Sequence, residues 1–182
     1  MSVTTSRGTT RPPQDQPNRG DEPANATSVT RHDLIRLLNE DLSREYQAII
    51  GYVNYSQVIK GAAYMKIAQV LEVHAAEELA HALKICKQID YLGGMPTVVP
   101  KLVETSKVAE DMLRFDLYNE VETMANYRLR IRQAEALGEF ALAETLRDII
   151  VDEQDHAIEL ATALGIDVPK IPDLDAGETM PE

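Results

Sequence analysis

Between residues 34 and 164 the chain repeats apolar side chains at steps of three and four, in four stretches separated by breaks. The first stretch carries Leu34, Leu38, Leu42, Ile49 and Tyr52, with Glu45 in the middle of the stripe. It predicts a helix capped by Thr30, with Asp33 in the first turn, and ended at Lys60-Gly61. The second runs from about Ala62 to Tyr91 on the stripe Ile67, Leu71, His74, Glu78, His81, Ile85, and Gly93-Gly94 stops it. After a connection over 95–106 holding Pro96 and Pro100, the third runs from about Lys107 to Leu137 on Leu113, Leu117, Glu120, Met124, Tyr127, Ile131 and Ala134. Gly138 marks a short turn, and the fourth runs from about Glu139 to Leu164 on Leu142, Leu146, Ile149, Glu153, His156, Leu160 and Ala163. At 1.5 Å per residue each helix is roughly 40–45 Å long. Tight first and third connections make two antiparallel hairpins. The middle one is long enough to run back along the bundle, which gives an all-α four-helix bundle with one long crossover between helices two and three.

The ends of the chain have a different pattern. Residues 1–28 hold almost no large apolar side chains and are rich in Pro, Thr, Ser, Gly and Asn, which predicts a disordered arm, passive or used for docking. The bundle is expected over 29–165. A Pro-rich tail follows over 166–182, with Pro169, Pro172 and Pro181 and no helical period.

Charge narrows the partners. Eighteen basic against thirty acidic residues give a formal net charge of −12. This argues against nucleic acid or an anionic membrane surface and suits a protein that attracts cations. No apolar run approaches the ~20 residues needed to span a bilayer. The single cysteine, Cys86, excludes an intrachain disulfide framework; with no visible secretory signal, a cytoplasmic location is expected.

The candidate chemistry lies where each stripe is interrupted. Helices one and three each place a lone glutamate at mid-stripe, Glu45 and Glu120. Helices two and four each place Glu-x-x-His, Glu78/His81 and Glu153/His156. Glu45 to Glu78 and Glu120 to Glu153 are both 33 positions, so the halves read as two copies of one hairpin. Positions i and i+3 share a helix face, so each Glu-x-x-His can grip one object. One such motif alone is most simply a surface pair; two, each at the same distance from a mid-stripe glutamate, are not. Four buried carboxylates left alone repel one another and lose hydration at several kcal/mol each. Two divalent cations offset that charge, and an oxygen-rich ligand set with one imidazole per metal suits iron or manganese. This is the known arrangement of di-iron and di-manganese carboxylate bundles.

On these residues the chain resembles the ferritin-like superfamily and, within it, the bacterioferritins, over roughly 34–164. LSREYQAIIGY (42–52), LGGMP (92–96), DMLRFDLYNE (111–120) and RDIIVDEQDH (147–156) resemble that family's local segments. The resemblance implies that Glu78 and Glu153 bridge two irons, with Glu45 and His81 completing one and Glu120 and His156 the other. It also implies that Tyr52 lies near the site as an electron donor, where the plain reading is a core tyrosine with a satisfied hydroxyl. The family's haem-binding methionine directly follows the second-helix glutamate; here that residue is Leu79, so no haem is expected. The proline-rich tail replaces the short fifth helix that the family uses in its cage. His74 reads as a hydrogen-bonded core or channel histidine, or an accessory ligand. Glu77, Asp155 and Glu122 read as solvated charges, and Cys86 as a small apolar filler.

The expected function is a di-iron ferroxidase that oxidises Fe(II) to Fe(III) with oxygen or hydrogen peroxide, in iron storage or detoxification, in a homo-oligomer of at least two chains. A rubrerythrin-like peroxide-reducing oxidoreductase keeps the site and changes the purpose. A non-catalytic metal-binding cargo protein, docked through its ends, is the third possibility.

Overall fold

The structure is a computed structural model, described over residues 29–180; the expected arm at 1–28 lies outside the described residues. Its main elements are α1 (Arg31–Val58), α2 (Met65–Tyr91), α3 (Ala109–Ala136) and α4 (Phe140–Leu164), with no strand among the described residues. The all-α four-helix bundle with one long crossover is therefore the observed fold.

α1 starts on the expected cap. The Asp33 amide donates to Thr30 Oγ1 (3.2 Å), and the Thr30 amide donates to Asp33 Oδ2 (3.1 Å), so two otherwise orphaned donors are satisfied. Two helices start later than the hydrophobic period suggests. Gly61 turns the chain at φ 124°, a conformation L side chains rarely adopt, and the next residues tighten into a 3₁₀ turn (Ala62–Tyr64) before α2 begins at Met65 rather than Ala62. α3 begins at Ala109 rather than Lys107, because Ser106 Oγ accepts from the Val108 amide (3.0 Å) and donates to Asp111 (2.8 Å), holding 106–108 in a turn.

α1 pairs with α2, α3 with α4, and the two hairpins join through α1 on α3 and α2 on α4. The crossover explains this topology. It is zipped along α1 by three side chains spaced eight apart. Asn39 Oδ1 accepts from the Thr97 amide (2.6 Å), Gln47 donates to the Leu102 carbonyl (2.6 Å), and the Tyr55 hydroxyl donates to the Glu104 carbonyl. The connection thus climbs α1 from its first third to its end, and α3 starts beside the α2 start and runs parallel to it. Gly94 is required where the crossover leaves α2: a Cβ there would lie 2.4 Å from Ile35 Cγ2.

The core is divided in two. One apolar cluster gathers Leu34, Leu38, Leu42, Ile85, Ile89, Leu142, Leu146 and Ile149. The other gathers Tyr55, Ile67, Leu71, Leu113, Leu117, Met124 and Leu160. Between them lies a layer of buried charged side chains. Past α4 the tail lies back along α3, with Val168 and Ile171 half-buried against the second cluster and Asp173 Oδ1 2.6 Å from Arg132 Nη2. A 3₁₀ turn at Leu174–Ala176 replaces any longer helix among its described residues.

Candidate metal centre

The polar layer is built from the six groups singled out by the sequence. Glu45, Glu78, His81, Glu120, Glu153 and His156 are each no more than 2% exposed, one level deep in all four helices. Their stripes bury them: each occupies a position that continues its helix's apolar face.

They form two overlapping sets. Ligand atoms of Glu45, Glu78, His81 and Glu153 lie within 4.8 Å of one another, as do those of Glu78, Glu120, Glu153 and His156. Glu78 and Glu153 belong to both sets. His81 Nδ1 lies 3.6 Å from Glu45, 3.4 Å from Glu78 and 3.3 Å from Glu153. His156 Nδ1 lies 3.0 Å from Glu78, 3.7 Å from Glu120 and 3.6 Å from Glu153. Several of these atoms converge without making an aligned hydrogen bond: Glu45 Oε2, Glu78 Oε1, Glu153 Oε1 and His156 Nδ1 are buried and unsatisfied. Buried acceptors that face one another without donors are costly unless a cation sits between them. Oxygen and nitrogen ligands hold a small divalent ion at about 2.0–2.2 Å, so donors this close can share one.

Electrostatics gives the same reading. Burial, then Glu78 and Glu153, pushes Glu45 well above the ordinary carboxylate range. Burial and Glu153 push Glu120 up to about 7. Glu78 is held below its usual value because His156 and His81 outweigh its burial. Both imidazoles are driven far up by the carboxylates around them, against their own burial. Without metal the cluster therefore holds protons on groups that would otherwise give them up, and a divalent cation is what can replace those protons.

Behind the imidazoles a pair of carboxylate contacts repeats across a pseudo-twofold axis. His81 Nε2 lies 3.0 Å from Asp152, which precedes Glu153; His156 Nε2 lies 2.9 Å from Glu77, which precedes Glu78. Each imidazole is thus fixed with Nδ1 inward by a carboxylate of the opposite hairpin. Glu77, read from the sequence as a solvated charge, is half-exposed but has this orienting contact. The Tyr52 hydroxyl donates to Glu120, and the Tyr127 hydroxyl donates to Glu45. Tyr52 therefore stands beside the centre with its hydroxyl satisfied. Tyr127 lay in the third stripe as a core residue; the signal that distinguishes it is its offset of 75 positions from Tyr52, the same as Glu45 to Glu120, Glu78 to Glu153 and His81 to His156.

The α2–α4 side carries an open cavity. A cavity of about 270 Å³ is lined there by His74, Glu77, Asp152, Asp155, His156 and Glu159, an acidic mouth on the outer side of the imidazoles. His74 stacks on His156 with ring centroids 3.9 Å apart, and its Nε2 meets Glu159 at 2.8 Å. Glu122, also read as a surface charge, is partly buried against Arg44 (3.2 Å) and Lys101 (3.2 Å). Cys86 is half-buried, with its sulfur 3.6 Å from the Tyr46 hydroxyl.

Comparison with known proteins fits this geometry. Residues 35–167 match the model of the ferritin-like domain. The chain is 27% identical over 135 residues to a bacterioferritin of Mycobacterium leprae (strain TN), covering 74% of this chain and 85% of that one. It is 25% identical over 135 residues to a bacterioferritin of Streptomyces coelicolor, covering 74% and 81%. Among solved structures it is similar to a ferritin-like, diiron-carboxylate protein from Bacillus anthracis, with TM-score 0.71, 35% identity, and 74% of this chain and 96% of that chain covered. A dodecameric thioferritin, the bacterioferritin-related protein from Bacteroides fragilis, shares the fold at TM-score 0.69 and 24% identity, over 75% and 87%.

Proposed function

Because the chain belongs to the ferritin-like family, we propose that it is a ferroxidase whose substrate Fe(II) binds as a pair between the six buried groups. The observation that carries this reading is the convergence of unsatisfied, buried Glu45, Glu78, Glu153 and His156 atoms on two overlapping four-residue sets. Glu45 and His81 are the terminal ligands of one position, Glu120 and His156 of the other, and Glu78 and Glu153 are shared by both. Iron supplies the redox chemistry: each Fe(II) gives up one electron, and oxygen or hydrogen peroxide takes them.

The chain's own residues do the rest. Asp152 and Glu77 fix the tautomer of His81 and His156 so that Nδ1 presents its lone pair inward. The carboxylates release their protons as the cations arrive, and their negative charge favours the higher oxidation state of the product. Tyr52, whose hydroxyl donates to Glu120, would supply a further electron to the same oxidant. The acidic mouth concentrates cations outside His156. Manganese suits the same oxygen-rich set. Haem binding is not part of this reading, since Leu79 occupies the position of the relevant methionine.

Apolar side chains exposed on α1 and α2 (Ile50, Val53, Leu79, Leu83) and in the crossover (Val98, Leu102) support a homo-oligomer. No described helix is long and apolar enough to cross a membrane. A second reading keeps the site and discards storage: a peroxide-consuming oxidoreductase. The tail favours it, since the described tail lies strapped to α3 by Asp173 and Arg132 where a caging helix would otherwise follow.

Aerobic addition of Fe(II) to the metal-free protein, followed by an iron count after desalting, tests both. Hundreds of irons per chain mean storage; about two, with rapid oxidation, mean a redox centre without storage. Uptake without any accelerated oxidation would overturn the ferroxidase reading and leave the metal-binding cargo protein.

A further inference from the structure

The pseudo-twofold symmetry fails at one charged layer. Asp41 and Asp116 lie 75 positions apart, each one helical turn before the terminal glutamate of its helix, and both are buried at 1–2% exposure. Asp41 is fully compensated: Arg130 Nε lies 2.7 Å from it and Arg44 Nη1 2.8 Å. Arg44 reaches Glu122, which Lys101 also meets at 3.2 Å, so this layer holds three cations against two anions. On the other side the position matching Arg130 is Tyr55 and that matching Arg44 is Asn119. Tyr55 spends its hydroxyl hydrogen on the Glu104 carbonyl, and Asp116 Oδ2 is left buried with no partner. Gly51 makes the room, since a Cβ there would stand 3.2 Å from Asp116 Oδ1.

We propose that this broken layer makes the two metal positions unequal, so that the position completed by Glu120 and His156 takes a divalent cation before the one completed by Glu45 and His81. The inference rests on the dimetal reading above. The ligand sets are matched, one terminal glutamate and one imidazole each with the same two shared glutamates, so the ligands themselves set no preference. The surroundings do. Behind Glu45, past Tyr127, sits a net positive layer; behind Glu120, past Tyr52, sits a carboxyl with no ion-pair partner among the described residues. Coulomb interactions in a buried layer are screened far less than at the surface, so a charge one turn away counts. A second asymmetry lies at the mouth, where His74, whose counterpart is Ile149, meets Glu159 at 2.8 Å, and the counterpart of Glu159 is Lys84.

Crystals of the full chain equilibrated with one equivalent of Co(II) per chain, measured at the cobalt absorption edge, give the occupancy of each position directly. The expected result is at least threefold higher occupancy at Glu120/His156, with the ratio lowered in Asp116→Asn, an isosteric change that removes the charge and keeps the shape. Equal occupancies, or cobalt at Glu45/His81, overturn the proposal, as does a ratio that Asp116→Asn leaves unchanged. If Asp116→Asn does not fold, the wild-type occupancies alone decide. Cobalt at neither position overturns the dimetal reading itself, and this proposal with it.

Discussion

Asp152, on α4, reaches across to hold the outer nitrogen of His81, which stands on α2, at 3.0 Å. A carboxylate on the far side of an imidazole fixes its tautomer and raises its basicity toward a metal. Asp152→Asn and Glu77→Gln should therefore each lower divalent-metal affinity by about 10–100-fold while leaving helicity intact. Equilibrium titration with Co(II) and circular dichroism together check this. Unchanged affinity in both variants would mean these contacts orient nothing.

Replacing a shared ligand should be more damaging than replacing an orienting one. Glu78→Ala or Glu153→Ala removes an oxygen from both positions at once. The expected outcome is loss of the fast phase of Fe(II) oxidation in stopped-flow absorbance, in a protein that still folds. Wild-type kinetics in either variant would remove those residues from the site.

Metal binding should weaken as the solution is acidified through neutrality. Burial and Glu153 raise Glu120 to about 7, so below that pH the metal-free protein holds a proton that an incoming cation has to displace. Above it the carboxylate is already ionised. Co(II) affinity measured from pH 6 to 8 should rise with pH, more steeply below 7 than above it, and a flat profile would contradict the proton competition.

Stability separates the two buried aspartates. Asp41 lies between Arg44 and Arg130, so Asp41→Ala leaves the buried Arg130 without a carboxylate and Arg44 with Glu122 alone, at a cost of about 3–5 kcal/mol in chemical denaturation. Asp116 has the opposite sign. Burial, then Glu120 and Glu78, raises its folded-state pKa well above the unfolded value. An acid of that kind costs nothing below its unfolded pKa and destabilises increasingly as pH rises toward its folded pKa. Asp116→Asn should thus raise the midpoint of the metal-free protein at neutral pH and have little effect near pH 3.

The four helices, the crossover and the six central groups could be read from the sequence because each leaves a periodic mark. Glu45, Glu78, Glu120 and Glu153 interrupt apolar stripes at places where a charge has no other reason to be. Helix starts were less legible. Gly61 and Ser106 act through backbone angle and local hydrogen bonds, which hydrophobic period does not register. The orienting residues escaped for a different reason: Glu77 and Asp152 are half-exposed, and nothing in a single helix shows that they face an imidazole on another. Arg130 and Asp41 likewise resemble surface charges until the crossing of α1 and α3 buries them against each other.

On the proposed function these six groups bind two metal ions per chain. Anaerobic isothermal titration of the metal-free protein with Fe(II), where no oxidation can drive mineral growth, measures this most directly. Saturation at two irons per chain is expected in the wild type, with loss of tight binding in Glu78→Ala. Absence of tight binding, or a stoichiometry that Glu78→Ala leaves at two, would contradict it.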